Sequence, residues 1–168
     1  MANANLTQAE IDALIADLNY YKYLAAFGNA SLGPLASAPQ VEPDVETKET
    51  ALYETGDEVQ AEIISKNNVQ ITIETRNLAV AMPLLEAFRK GDNLLASSNA
   101  QALTLVPITD VATAKAITFP RAFLRPGLSM TLSEGDDTPS SVKLVFTCKP
   151  DTAAGDTLGK PFVYAVAS

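Results

Sequence analysis

Apolar and polar positions alternate with period two in Val59-Gln-Ala-Glu-Ile63 and again in Val69-Gln-Ile-Thr-Ile-Glu74. That is the pattern of a sheet buried on one face and wet on the other. In this phase the odd set, Val59, Ala61, Ile63, Val69, Ile71 and Ile73, belongs to the core. The even set, Gln60, Glu62, Gln70, Thr72 and Glu74, belongs to solvent. A slip of one residue inverts both sets, so the apolar pattern fixes the register. Residues 59–76 read either as one long strand or as two strands folded at Lys66-Asn67-Asn68. The expectation is the second, a long projecting hairpin.

Further strands are predicted over 20–27, 47–53, 100–106, 115–119 with Phe123 beyond, 142–149 and 162–166. Two helices are expected. Thr7-Gln-Ala-Glu10 has the spacing of a capping box, and Ile11, Leu14, Ile15 and Leu18 follow at helical intervals. Pro83-Leu-Leu-Glu-Ala-Phe-Arg-Lys-Gly91 reads as a helix with Pro in its first turn, two cations in its last turn and Gly at its C-cap. Gly28, Gly33, Pro34, Pro39 and Pro43 mark a loop or extended arm, and further loops fall at 125–127, 134–139 and 150–161. The layout predicts a mainly β domain over 1–168, a β-sandwich or split barrel with one mid-chain helix. A helical extension covers about residues 1–19, and an extended acidic arm or loop covers about 28–58.

Charge sharpens that arm. Between Gln40 and Glu62 the acids are Glu42, Asp44, Glu46, Glu49, Glu54, Asp57, Glu58 and Glu62, against Lys48 alone. These eight carboxylates and one ammonium give −7 of the chain's −8, so the rest is close to neutral. With a pI near 4.4 and no basic run, the chain is poorly suited to gripping phosphates.

The absence of histidine removes the commonest general base and metal ligand. Cys148 is the single cysteine; it shares a strand face with Leu144 and Phe146 and reads as a buried structural thiol. Residues 1–6 lack the basic start and apolar run of a signal peptide, and no apolar stretch approaches ~18 residues. The chain is therefore expected to be made in a cytosol, without a membrane anchor. Glu134-Gly-Asp-Asp137 offers oxygens to a hard cation but lacks EF-hand spacing, so it reads as a solvated turn. Paired acids in 44–62 suit glycoside hydrolysis, yet the chain has no Trp platform. No catalytic, cofactor or metal site is expected. Arg76, Arg89, Lys90, Arg121 and Arg125 read as partners of the acidic segment, within the subunit or across to a neighbour. Phe119-Pro120-Arg121 and Leu124-Arg125-Pro126-Gly127 read as strand ends.

The order of these pieces resembles the tail tube proteins of long-tailed bacteriophages and related phage-derived particles. The likeness covers roughly residues 30 to 168. Its carriers are Gly33-Pro34-Leu35, Pro39-Gln-Val-Glu-Pro43, Glu49-Thr-Ala-Leu-Tyr53 leading to Gly56, the 59–76 unit and the helix near 83–90. Ala116-Ile-Thr-Phe-Pro120, Val142-Lys-Leu-Val-Phe146 and Phe162-Val-Tyr164 complete the set. The resemblance implies a non-enzymatic virion protein, assembled in a host cytoplasm, whose hexameric rings stack into a hollow tube that conducts DNA without binding it specifically. Its partners would be other copies of itself, a tape measure, a terminator and a baseplate. Gln60, Glu62, Gln70, Thr72 and Glu74 would then face the lumen, and Glu42, Asp44, Glu46, Glu49, Glu54, Asp57 and Glu58 would form the inter-ring or inter-subunit arm. The alternatives are a tail terminator, a head–tail connector or baseplate-proximal tube protein of the same fold, or a soluble β-sandwich binding module.

Overall fold

The computed structural model describes residues 6–11, 21–51, 59–135 and 137–166. Nine strands lie in the order β1 (Tyr23–Phe27), β2 (Ala30–Ser31), β3 (Gln40–Ala51), β4 (Val59–Thr75), β5 (Gln101–Pro107), β6 (Lys115–Leu124), β7 (Ser129–Thr131), β8 (Ser141–Cys148) and β9 (Val163–Val166). Helix α1 (Leu78–Glu86) separates β4 from β5. The protein is mainly β, with one mid-chain helix and few others.

All nine strands belong to one open antiparallel sheet, ordered β2-β1-β5-β6-β8-β4-β3, with β7 added to β8 and β9 added to β6. The sheet divides at β6. Lys115–Thr118 pair with β9, whereas Ala122–Leu124 pair with β8. It also curls. Phe27 on β1 and Phe146 on β8 place their ring centroids 5.0 Å apart, although β5 and β6 lie between their strands. Flat spacing of ~4.8 Å per strand would hold these strands about three times farther apart. The curl encloses Ile71, Ile73, Leu103, Phe119, Leu144 and Phe146, all essentially without solvent contact.

Three expectations need correction. The hairpin does not fold at Lys66-Asn67-Asn68: β4 runs unbroken through those residues and pairs along its length with β3. Composition reads those polar residues as a turn, but β3 sets Glu46, Val45 and Asp44 opposite them. Likewise, Gln40–Ala51, expected within an arm or loop, is a twelve-residue strand. Pro43 is tolerated there because β3 is an edge, where a missing amide hydrogen costs no ladder bond. The arm's preceding residues join it: Ala36 N–H donates to Glu74 O (2.8 Å) and Arg76 N–H to Pro34 O (2.9 Å).

The third correction is the helix. α1 begins at Leu78, so Pro83 lies inside it and not at its first turn, and the helix ends by Glu86. Burial overrides the proline: Ala81 is fully buried, and Leu78, Val80, Met82, Leu84 and Leu85 pack against the core. Gly91 sits beyond, in a turn at φ 96°, a left-handed conformation that suits glycine. At the N-terminus the capping box is present. Thr7 N–H donates to Glu10 Oε2 at 2.7 Å, and Glu10 N–H reaches Thr7 Oγ1 at 3.4 Å. Leu14, Ile15 and Leu18 lie outside the described residues, as do Glu54, Asp57 and Glu58.

Candidate assembly surface

The feature that most distinguishes this sheet is the ribbon made by β3 and β4. β8 pairs with β4 only from Val69 to Thr75. From Asn68 back to Val59, among the described residues, β4 has no strand neighbour but β3. At roughly 3.3 Å per residue this two-stranded section reaches about 30 Å beyond the sheet. A free two-stranded ribbon is marginal in water, so its faces decide what it is for.

Directly opposed residues of an antiparallel pair share a face. Val69, Ile71 and Ile73 point to the core, and Pro43 and Val41 stand opposite Val69 and Ile71. Asn67 and Val45 continue this core-side face outward. The reverse face carries Gln70, Thr72 and Glu74 on β4, with Glu42, Asp44 and Glu46 on β3. Opposite residues follow strict parity down to Glu46↔Lys66. There the register shifts: Thr47 opposes Ile64, leaving Ser65 as the extra residue of a bulge.

The bulge divides the expected lumen set. Beyond it, the even residues Glu62 and Ile64 lie on the core side and the odd residues Ala61 and Ile63 lie on the wet side. Side-chain contacts agree, because Thr47 Oγ1 donates to Glu62 Oε1 at 2.6 Å. Gln70, Thr72 and Glu74 thus share one face, but Glu62 does not join them. Gln60 falls at a second register shift, between Thr50 and Ala51. Nor do Ala61 and Ile63 belong to the core; Ile63 is 61% exposed. Glu74 is not a freely solvated charge, since it is half-buried, accepts a 2.6 Å hydrogen bond from Ser141 Oγ and faces Lys143.

The acidic strand has one intramolecular answer among the described residues. Lys66 Nζ lies 2.9 Å from Asp44 Oδ1 and 3.3 Å from Glu46 Oε1, and the two carboxylates, Asp44 foremost, hold its pKa above the ordinary lysine value. The arginines do not provide it: Arg76, Arg89 and Arg125 are exposed, and Arg121 stacks over Phe123 at 5.3 Å. Glu49 and Glu62 stand directly opposite each other with no cation between them, and like charges in that position weaken a ribbon. Sequence reasoning missed Val41, Val45 and Ile64, exposed apolar residues on the ribbon's core-side face. The doublet Ile63-Ile64 was the available signal, because adjacent apolar residues cannot both obey period two.

Elsewhere the chain offers little reactive chemistry. Cys148 is fully buried beside Leu144 and Phe146, and burial pushes its thiol up to about 12. The loop at 131–139 encloses an open concavity of about 460 Å³, where Ser133 Oγ closes the turn by donating to Gly135 O at 2.6 Å. Two further concavities, of about 450 and 490 Å³, each hold a single charged side chain, Asp92 and Lys22. Among the described residues, no three His, Cys, Asp or Glu side chains group as metal ligands, and no helix is long and apolar enough to cross a membrane.

No protein-family model matches the chain, and no curated protein matches it in sequence. Solved structures do match in fold. One is a chain of the sheath–tube complex of PVC, an extracellular contractile injection system, in the extended state; it is 8% identical with a TM-score of 0.57, over 97% of this chain and 100% of that one. Another comes from the PVC sheath/tube terminator in the extended state, 9% identical with a TM-score of 0.57 over 89% and 96%. A third is the tube-terminating cap of the anti-feeding prophage, 9% identical with a TM-score of 0.53 over 89% and 91%. At such identities the likeness is one of fold, and nearly the whole chain takes part in it.

Proposed function

We propose that this protein is a structural subunit of a phage tail or phage-derived particle, assembling with copies of itself into rings that stack as a hollow tube. The observation that carries this reading is the β3–β4 ribbon, which leaves the sheet with Val41, Val45 and Ile64 uncovered. An isolated ribbon with an apolar face gains from covering that face, at ~25 cal/mol per Å² of apolar surface removed from water. An open sheet edge also gains from a neighbouring strand. The match over nearly the full length to tube and terminator assemblies favours the same partner, another copy.

In this reading the rings are hexameric and the ribbon, with Glu42, Asp44, Glu46 and Glu49 on β3, is the inter-subunit or inter-ring arm to which Glu54, Asp57 and Glu58 are also assigned. Gln70, Thr72 and Glu74 face the conduit. An acidic-to-neutral wall lets DNA slide, because attraction repeated at every ring would sum to a barrier along the tube. Other tail proteins would cap and seat the tube.

A second reading has a specific observation behind it: two of the matched structures are a tube terminator and a tube-terminating cap. A terminator stops at one ring. Negative-stain microscopy and analytical ultracentrifugation of purified protein at tens to hundreds of micromolar test both readings. Tubes or stacked rings support the first and single rings the second. A species that stays monomeric throughout overturns both.

A further inference from the structure

Besides β3, β9 also leaves an edge unpaired: it bonds β6 over Val163–Val166 and no other described strand. Its large exposed apolar side chains fall on one side. Tyr164 stands opposite Ile117, which stands opposite the core residue Leu105, so Tyr164 lies on the core-side face of the sheet. Phe162 and Val166 share that parity, and the Phe162 ring lies 6.2 Å from that of buried Phe119. All three are about half exposed. Lys115 joins them, with Nζ 5.2 Å over the Tyr164 ring. At one end of the sheet, β3 shows the same composition with the opposite charge. Val41, Pro43 and Val45 lie on the core-side face, followed by Glu49 and Glu62, carboxylates without a paired cation among the described residues.

The geometry points to a specific interface, in which the β3 edge of one copy docks on the β9 edge of the next. The inference rests on the self-assembly reading and names the two surfaces it uses. Because each edge is apolar on its core-side face, joining them side by side merges Val41 and Val45 with Phe162, Tyr164 and Val166 into one core spanning two copies. Apart from Pro43, which has no amide hydrogen to offer, the outward amide and carbonyl groups of both edges are satisfied in the same step. The charges agree with that order. Lys115 pairs with Val166 on β9, and just before β9 in the chain Lys160 O accepts from Asp151 N–H at 3.0 Å, while Lys149 N–H donates to Arg121 O on β6 at 2.9 Å. Asp151 is already engaged by the Thr157 hydroxyl and the Ala153 amide. The ribbon is acidic, and its Glu49–Glu62 pair lacks a cation. The contact is head-to-tail, since β3 and β9 are different surfaces, and such a contact propagates until it closes a ring or extends a filament.

Cysteine pairs test the docking in the full-length chain. Tyr164→Cys is combined in turn with Pro43→Cys, Val45→Cys and Thr47→Cys; Cys148 stays in place because it is buried. At least one pair should give, on mild oxidation, a ladder of disulfide-linked oligomers that disappears on reduction, while each single variant gives at most dimers. In parallel, Lys115→Glu should weaken assembly at least tenfold in the concentration required, and Glu49→Lys in the same chain should recover most of it. Assemblies seen by microscopy without a ladder from any pair would overturn the β3–β9 contact and leave the self-assembly reading standing. Parent protein that does not assemble at all would overturn both.

Discussion

Thr47 donates a 2.6 Å hydrogen bond to Glu62, so two residues from opposite parities of the alternating pattern meet on one face of the ribbon. Ser65 makes this possible. It is the unpaired residue of the bulge, and its hydroxyl donates to Glu46 O at 3.1 Å. A bulge both turns the strand and changes which side chains look each way.

Inserting one residue between Glu46 and Thr47, opposite Ser65, should therefore restore plain alternation, returning Glu62 and Ile64 to the wet face and Ile63 to the core side. The curled sheet lies beyond Asn68 and should be unaffected. Native circular dichroism and a protected Cys148, with a shift in assembly toward smaller species on sizing, are the expected results. Unchanged assembly would show that the face exchange is irrelevant to function.

Cys148 supplies a pH-dependent test. In the unfolded chain its thiol ionises near 9.0, whereas burial raises the folded value to about 12. Above pH ~9 the unfolded state gives up a proton that the native state keeps. The thiol's contribution to stability is thus complete below about pH 9 and is lost as pH rises toward 12, at up to ~1.4 kcal/mol per pH unit. Cys148→Ala should show a shallower decline than the parent over that window in denaturant titrations. Cys148→Ser should cost about 1–3 kcal/mol at neutral pH through a poorly satisfied buried hydroxyl. Native protein should react slowly with a thiol reagent and unfolded protein quickly.

Much of this was written into the chain. The strands at 101–107 and 141–148 follow from alternation that one buried face imposes, and Cys148 sits where that phase puts it. The helix start was misread because Pro83 suits a first turn in isolation, while the packing of Leu78 and Ala81 onto the sheet is a tertiary effect. Residues 40–51 look like a solvated arm because their acids carry no local compensation. Lys66, which answers Asp44 and Glu46, is some twenty positions away and arrives only when β4 folds back. Pairing of β3 with β4 turns a charged arm into a strand. Glu62 parts from the face of Gln70, Thr72 and Glu74 for a similar reason: period two persists through Ile63, and only the register against β3 reveals the extra residue.

Hydrogen exchange should divide β4 into two parts. Amides of 69–72 are held between β3 and β8, so in the monomer they should open only with the whole fold. Amides of 61–67 have β3 alone and should exchange at least tenfold faster. Assembly should slow the second group selectively if the ribbon is covered by a neighbour. Equal protection of both groups in the free subunit would mean that the ribbon is stable unaided.

The last prediction separates the two faces of the ribbon. Gln70 is exposed on the wet face, between Glu42 on β3 and Thr147 on β8. It makes no hydrogen bond whose loss would disturb the sheet, so Gln70→Lys should leave folding and assembly intact. If this face lines a DNA conduit, the added cation recurs once per subunit in every ring and attracts phosphate at each step, an effect that weakens steeply as salt is raised. DNA ejection from assembled particles should slow, and high salt should restore much of the rate. Glu62→Lys makes the opposite comparison. Its side chain lies on the core-side face with Thr47, so it should impair assembly while leaving the conduit's potential nearly unchanged. Normal ejection from particles built of the Gln70→Lys protein at low salt would remove this face from the lumen.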